Sequence, residues 1–148
     1  MRRRLFLWTF LAAFSACDTT YKSNIPDATV VLELDLNYRD KDLIPPQAHK
    51  IYNPQNINQA YERTGFGGVL IYHSLLDTYV AFDAACPHEA NPTVTVTVED
   101  DNLHARCPKC QSQYDLSYGN ANPVTGPSRQ ALKRYSVTLS ANKLIIRN

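Results

Sequence analysis

Outside its first 17 residues this 148-residue chain has no run of ten or more residues with helical period, whereas short runs alternating every second residue recur along it. In ATVVLELDLNY (28–38), Val31, Glu33 and Asp35 alternate with Leu32, Leu34 and Leu36. TVTVTV (93–98) is a nearly perfect alternation of β-branched residues. GGVLIYHS (67–74) and TYVAFDAAC (78–86) are joined by LLDT and read as a hairpin. ALKRYSVTLS and KLIIRN close the chain around the turn Ala141-Asn142. RDKDLIPPQ breaks the first pattern with charge and a Pro pair, and PQNINQAYERTGF (54–66) reads as loop with at most one helical turn. The expected fold class is all-β, with seven to nine short strands in a sandwich or small barrel.

The first 17 residues differ from the rest. MRRRLFLWTFLAAFSAC places three arginines before the apolar run Leu5–Phe14, followed by the small pair Ser15-Ala16. These are the three regions of an export signal, and the apolar run is too short to span a bilayer, which takes about 20 residues. Phe14-Ser15-Ala16-Cys17 resembles the lipobox of bacterial lipoproteins, with Phe14 where leucine is usual. That resemblance implies a signal peptide over 1–16, lipid on Cys17, a polar tether over 17–27 and a domain over 28–148. Arg3-Arg4-Leu5-Phe6-Leu7 also resembles the core of a twin-arginine signal, so the general secretory and twin-arginine routes both stand. The implied location is the bacterial cell envelope, lipid-anchored to a membrane. Loss of Arg2, Arg3 and Arg4 leaves 12 Lys+Arg against 14 Asp+Glu, a formal charge of −2. A domain without basic excess argues against nucleic acid as a partner.

At about 120 ordered residues the domain can build one core without disulfide staples, so its cysteines need another explanation. Beyond Cys17 there are three, in two half-sites: Cys86-Pro87-His88, and Cys107-Pro108-Lys109-Cys110 after 18 intervening residues. Each follows a predicted strand, and the hairpin between them returns the chain to where it left. Three thiols and one imidazole should therefore converge at one end of the sheet. His49, His73 and His104 read as surface residues, with His104 the nearest to the site.

These residues resemble the Rieske domain, a β-sandwich whose two loops hold a 2Fe–2S cluster. Its pattern is C-x-H in the first loop, then C-x-x-H followed by G-S-x-[FY]-D. Cys86 and His88 match the first loop, Cys107 the second-loop cysteine, and Ser112, Tyr114 and Asp115 the residues that follow. Gly119, Gly126, Pro127, Leu132 and Tyr135 match the family's downstream turn, Gly-Pro loop and final hairpin. Two positions depart from it: Cys110 stands where the family has its second histidine, and Gln111 where it has glycine. The resemblance implies a cluster with Cys86 and Cys107 on one iron and His88 and Cys110 on the other. It implies hydroxyl donors at Ser112 and Tyr114 that raise the potential, and a thiolate at Cys110 that lowers it. It implies an electron carrier working with a redox protein partner, without a catalytic base or nucleophile of its own.

The residues alone leave other readings open. Three cysteines and one histidine also make a structural zinc set, although C-x-H is tight spacing for zinc. An exported domain could pair Cys86 with Cys107 or Cys110 as a disulfide. A cluster-free domain of this kind would be a binding or structural module of the envelope.

Overall fold

The computed structural model of the protein describes residues 22–148. The segment read as signal peptide, with Cys17 and the first part of the tether, lies outside the described residues. Among them, no helix is long and apolar enough to cross a membrane. Among the described residues, eleven strands form two sheets. The larger has seven strands: β1 (Val30–Asp35), β2 (His49–Tyr52), β3 (Arg63–Thr64), β4 (Val69–His73), β5 (Tyr79–Asp83), β10 (Arg134–Ser140) and β11 (Lys143–Arg147). Their order is β2-β4-β5-β10-β11-β1-β3, and every pairing is antiparallel.

The period-two pattern explains the shape of this sheet. Val30, Leu32 and Leu34 of β1, Tyr52 of β2, Val69 and Ile71 of β4, Ala81 of β5, Tyr135 of β10, and Leu144 and Ile146 of β11 pack into one buried cluster. β2, at one end of the order, shares that cluster with β1, next to the other end, so the sheet curls into a nearly closed barrel. Each fully buried Leu or Ile contributes about 1.5–3 kcal/mol by leaving water. The β10–β11 hairpin turns on Ala141 and Asn142, both with positive φ, which matches the right-handed twist of the flanking strands.

The smaller sheet is an insertion between β5 and β10. It comprises β6 (Thr97–Val98), β7 (His104–Arg106), β8 (Gln113–Asp115) and β9 (Asn122–Thr125), paired in that order. The insertion's two ends meet where Asp83 N donates to Lys133 O at 2.7 Å. A second cluster fills the gap between this sheet and the outer face of the barrel: Leu70, Tyr72, Val80 and Phe82 meet Val96, Ala105, Tyr114 and Leu116. β4 thus supplies Val69 and Ile71 to one core and Leu70 and Tyr72 to the other, and is buried on both faces.

Several sequence expectations change in detail. Of TVTVTV only Thr97–Val98 pairs as a strand. The rest crosses between the sheets: Cys86 N donates to Val94 O at 3.0 Å, Val96 N to Ala84 O at 2.8 Å, and Ala85 bridges Thr95. The 54–66 loop contains β3 and no helix, while a 3₁₀ turn, Lys41–Leu43, sits in the segment read as a break. His73 is not a surface residue. It is 4% exposed, stacked on Tyr79, with Nδ1 2.8 Å from Ile44 O and Nε2 3.0 Å from Asp77 Oδ1. Residues 24–27, placed by their polarity in the tether, lie against the domain. Ile25 is buried, and Lys133 Nζ donates to Pro26 O at 2.9 Å and Asp27 Oδ1 at 2.6 Å.

Candidate metal centre

The two cysteine loops are built alike. In each, the first cysteine's carbonyl accepts a hydrogen bond from the residue four positions on: Ala90 N to Cys86 O at 2.9 Å, and Gln111 N to Cys107 O at 3.1 Å. In each, that fifth residue takes positive φ, 46° at Ala90 and 61° at Gln111. Gln111 therefore adopts the left-handed conformation for which glycine is the default residue, a cost of roughly 1–2 kcal/mol. Part of this is offset because its side-chain Nε2 donates to Pro108 O at 2.7 Å. A side chain at this position is accommodated by the loop.

Strand ends bring the loops together. Cys86 lies three residues beyond the end of β5, and Cys107 directly follows β7. The three thiols are free, and their sulfurs all lie within 4.8 Å of one another. Cys86 Sγ is 3.6 Å from Cys110 Sγ. Cys86 and Cys107 are fully buried, while Cys110 is half-buried. Lys109 Nζ pairs with Glu89 Oε2 at 2.5 Å and so joins the second loop to the first.

Two hydroxyls touch the sulfurs. Tyr114 Oη is 3.3 Å from Cys86 Sγ, and Ser112 Oγ is 3.1 Å from Cys110 Sγ. Both residues are fully buried. Ser128 N donates to Ser112 Oγ at 2.9 Å, which leaves the hydroxyl proton free for sulfur once the thiol ionises. Gly126 is the residue that allows this. It has φ +88°, and a Cβ there would fall 2.5 Å from Ser112 Cα.

The local electrostatics separate the two cysteines of the second loop. Burial pushes the Cys107 thiol up to about 11. Burial also opposes ionisation of Cys110, but hydrogen bonds from the Ser112 hydroxyl and backbone, together with those from Cys107 and Cys86, outweigh it and bring that thiol below its ordinary value. Burial, and then the contact with Cys86, raises Tyr114, which stays a phenol and a donor.

The structure thus brings together Cys86, Cys107 and Cys110, with Ser112 and Tyr114 beside them. His88 lies outside the sulfur group, exposed, beside a small cavity lined by Asn24, Pro87, Ser128, Arg129 and Gln130. His104 Nδ1 donates to Asp101 Oδ2 2.6 Å away and does not join the cysteines. The donor set suits a soft metal. Three convergent thiols, two of them sealed from water, match the thiolate preference of zinc and of iron–sulfur clusters.

One residue that holds the site was not among those singled out in the sequence. Asp83 is fully buried at the end of β5. Its carboxylate accepts from Phe66 N at 3.0 Å, Gly67 N at 3.0 Å, Ala85 N at 2.8 Å and Tyr135 Oη at 2.6 Å. It fixes the backbone directly before Cys86. Its signal was available: a lone acid in the apolar run YVAFDAAC, three residues before a cysteine. A buried carboxylate needs several donors, and here they are mostly backbone.

No family model matches the chain, and no curated protein matches it. Among solved structures, the chain is similar to the cyanobacterial plasma membrane Rieske protein PetC3 from Synechocystis PCC 6803. The identity is 18% and the TM-score 0.50, over 82% of this chain and 99% of that one. At that identity the likeness is one of architecture, and it agrees with the strand layers described above: the chain has a Rieske-like β fold carrying a cysteine cluster compatible with a metal.

Proposed function

We propose that the protein is a membrane-tethered electron carrier that holds a 2Fe–2S cluster between the loops at 86–90 and 107–112. The observation that carries this reading is the convergence of three free thiols from two separate loops, with the Tyr114 and Ser112 hydroxyls in hydrogen-bond contact with the sulfurs. Cys86 and Cys107 would hold one iron, and His88 and Cys110 the other. The cluster supplies reversible one-electron transfer. The chain's residues do the rest. The thiolate at Cys110 adds a negative charge where a neutral imidazole would add none, which sets the potential below that of a two-histidine centre. Ser112 and Tyr114 donate to sulfur and raise it part of the way back. His88 stands at the exposed edge, where a redox protein partner can approach. Lipid on Cys17 would hold the domain at a membrane of the bacterial envelope.

The test is composition and spectrum. Protein purified without air should contain two irons and two sulfides per chain, with charge-transfer bands in the visible and a spin signal on reduction. One zinc per chain, in a colourless protein, would favour the second reading that the mutual closeness of the three sulfurs also supports, a tetrahedral structural site. Either zinc or a metal-free protein overturns electron transfer. The anchor is tested separately: Cys17→Ala should release the protein from membranes, and continued membrane association would overturn lipidation.

A further inference from the structure

We propose that the metal-free domain is a thiol–disulfide couple, in which Cys86 and Cys110 join the two loops as a disulfide that must be reduced before metal can enter. The geometry separates three thiols into two roles. Cys86 and Cys110 are the pair in contact, with sulfurs 3.6 Å apart, so a bond of about 2.05 Å needs a movement within side-chain reach. Cys110 alone of the three is half-buried, whereas Cys86 and Cys107 are fully buried. An external disulfide therefore meets Cys110 first. Cys86 is next to it, on the other loop, and is too deeply buried to be the first point of attack.

The exchange balances without further reagents when the oxidant is a disulfide, such as oxidised glutathione or an exported disulfide donor. The Cys110 thiolate attacks one sulfur of the oxidant, breaks its S–S bond and releases one thiol. Cys86 then attacks the Cys110 sulfur of the mixed disulfide, forms the Cys86–Cys110 bond and releases the second thiol. Two protein thiols lose two electrons and two protons, and the oxidant gains both as two thiols. Cys107 remains a thiol. In the oxidised state two of the three convergent sulfurs are tied to each other and cannot ligate, so the couple gates loading. This consequence rests on the metal-centre reading. The disulfide itself does not.

The experiment uses the full chain stripped of metal and reduced, then treated with oxidised glutathione without air. Peptide mapping after alkylation should find one linkage, Cys86–Cys110, a mass loss of two hydrogens and an alkylated Cys107. The Cys86→Ser variant should stop at a stable glutathione adduct on Cys110, and the Cys110→Ser variant should take up no adduct on Cys86 or Cys107. A Cys107–Cys110 linkage in the unaltered chain, scrambled pairing or no disulfide would overturn the proposal. The unaltered chain gives this answer even if a variant fails to fold. Iron and sulfide offered to the oxidised protein should load roughly tenfold less than to the reduced one, with recovery on adding a thiol reductant. Equal loading overturns the gate. If neither form loads iron while the linkage still forms, the cluster reading fails and the disulfide stands.

Discussion

The barrel and the inserted sheet are held together by different means. The barrel is built from strands of up to seven residues whose inward side chains form one apolar cluster. The inserted layer has strands of two to four residues and a core that includes Cys86, Cys107 and Tyr114. Its loops are held by particular contacts: a carbonyl four residues back, a serine hydroxyl, a glycine pressed against Ser112, an ion pair between Glu89 and Lys109. A barrel can lose a methyl group and relax. A site layer made of single contacts loses geometry when one contact goes. Stability and metal binding should therefore respond to different residues.

The largest effect tests the barrel side. Leu32 is fully buried in β1, remote in sequence from both loops. Leu32→Ala should cost about 3 kcal/mol in the unfolding free energy, through lost burial and the cavity left behind. The metal content of the protein that remains folded should be unchanged. Denaturant unfolding followed by metal analysis of the folded fraction checks both. Loss of metal from folded Leu32→Ala would mean the two regions are one unit. A cost under 1 kcal/mol would mean the barrel core does not carry the stability.

Gly126→Ala should do the opposite. The added Cβ meets Ser112 Cα at 2.5 Å and N at 2.8 Å, and the backbone there is in the left-handed region. Backbone cannot swing aside as a side-chain tip can. The cost should be about 2 kcal/mol, smaller than for Leu32→Ala. Displacing Ser112 also moves its hydroxyl from Cys110 Sγ, so metal affinity should fall by about tenfold or more. Unchanged affinity, measured by competition with a chelator, would show that the position of Ser112 is irrelevant to the site.

The same contrast decides what could be read from the sequence. The barrel was legible where a strand has one face in the core and one outside, as in β1 and β11, which alternate cleanly. β4 was legible as a strand but not as a shared wall, because a run buried on both faces has no period. TVTVTV misled. Its alternation is real, but its partners are the backbone of Ala84 and Cys86, not a neighbouring strand along its length. The cysteines were legible as a set from spacing alone. The contacts that place them were legible only in part: Gly126 and the lone acid Asp83 are visible in the run of residues, whereas Ser128 acts through its backbone N–H, which carries no residue signature. His88, two positions beyond the buried Cys86, is exposed and lies outside the three-sulfur group.

The smallest effect lies at the turn that leads from β6 into β7. Asp101 accepts from His104 Nδ1 at 2.6 Å and from the backbone N–H groups of Leu103 and His104 at 2.8 and 3.0 Å. These bonds, the His104 side chain first, hold its carboxyl down to about 2. A carboxyl lowered on folding binds its proton less readily in the folded than in the unfolded chain, so it stabilises the fold above about pH 4. That contribution is lost as pH falls from about 4 to about 2. Asp101 is exposed, so solvent screens the pair and the effect is smaller than either above. Asp101→Asn should therefore lower the urea midpoint slightly at pH 5, and the difference from the unaltered protein should close by pH 2. A difference that stays constant across that range would show that the Asp101 charge contributes nothing. Because this turn touches no sulfur, the metal content of Asp101→Asn should match that of the unaltered protein, and a loss would extend the site layer's sensitivity out to its far turn.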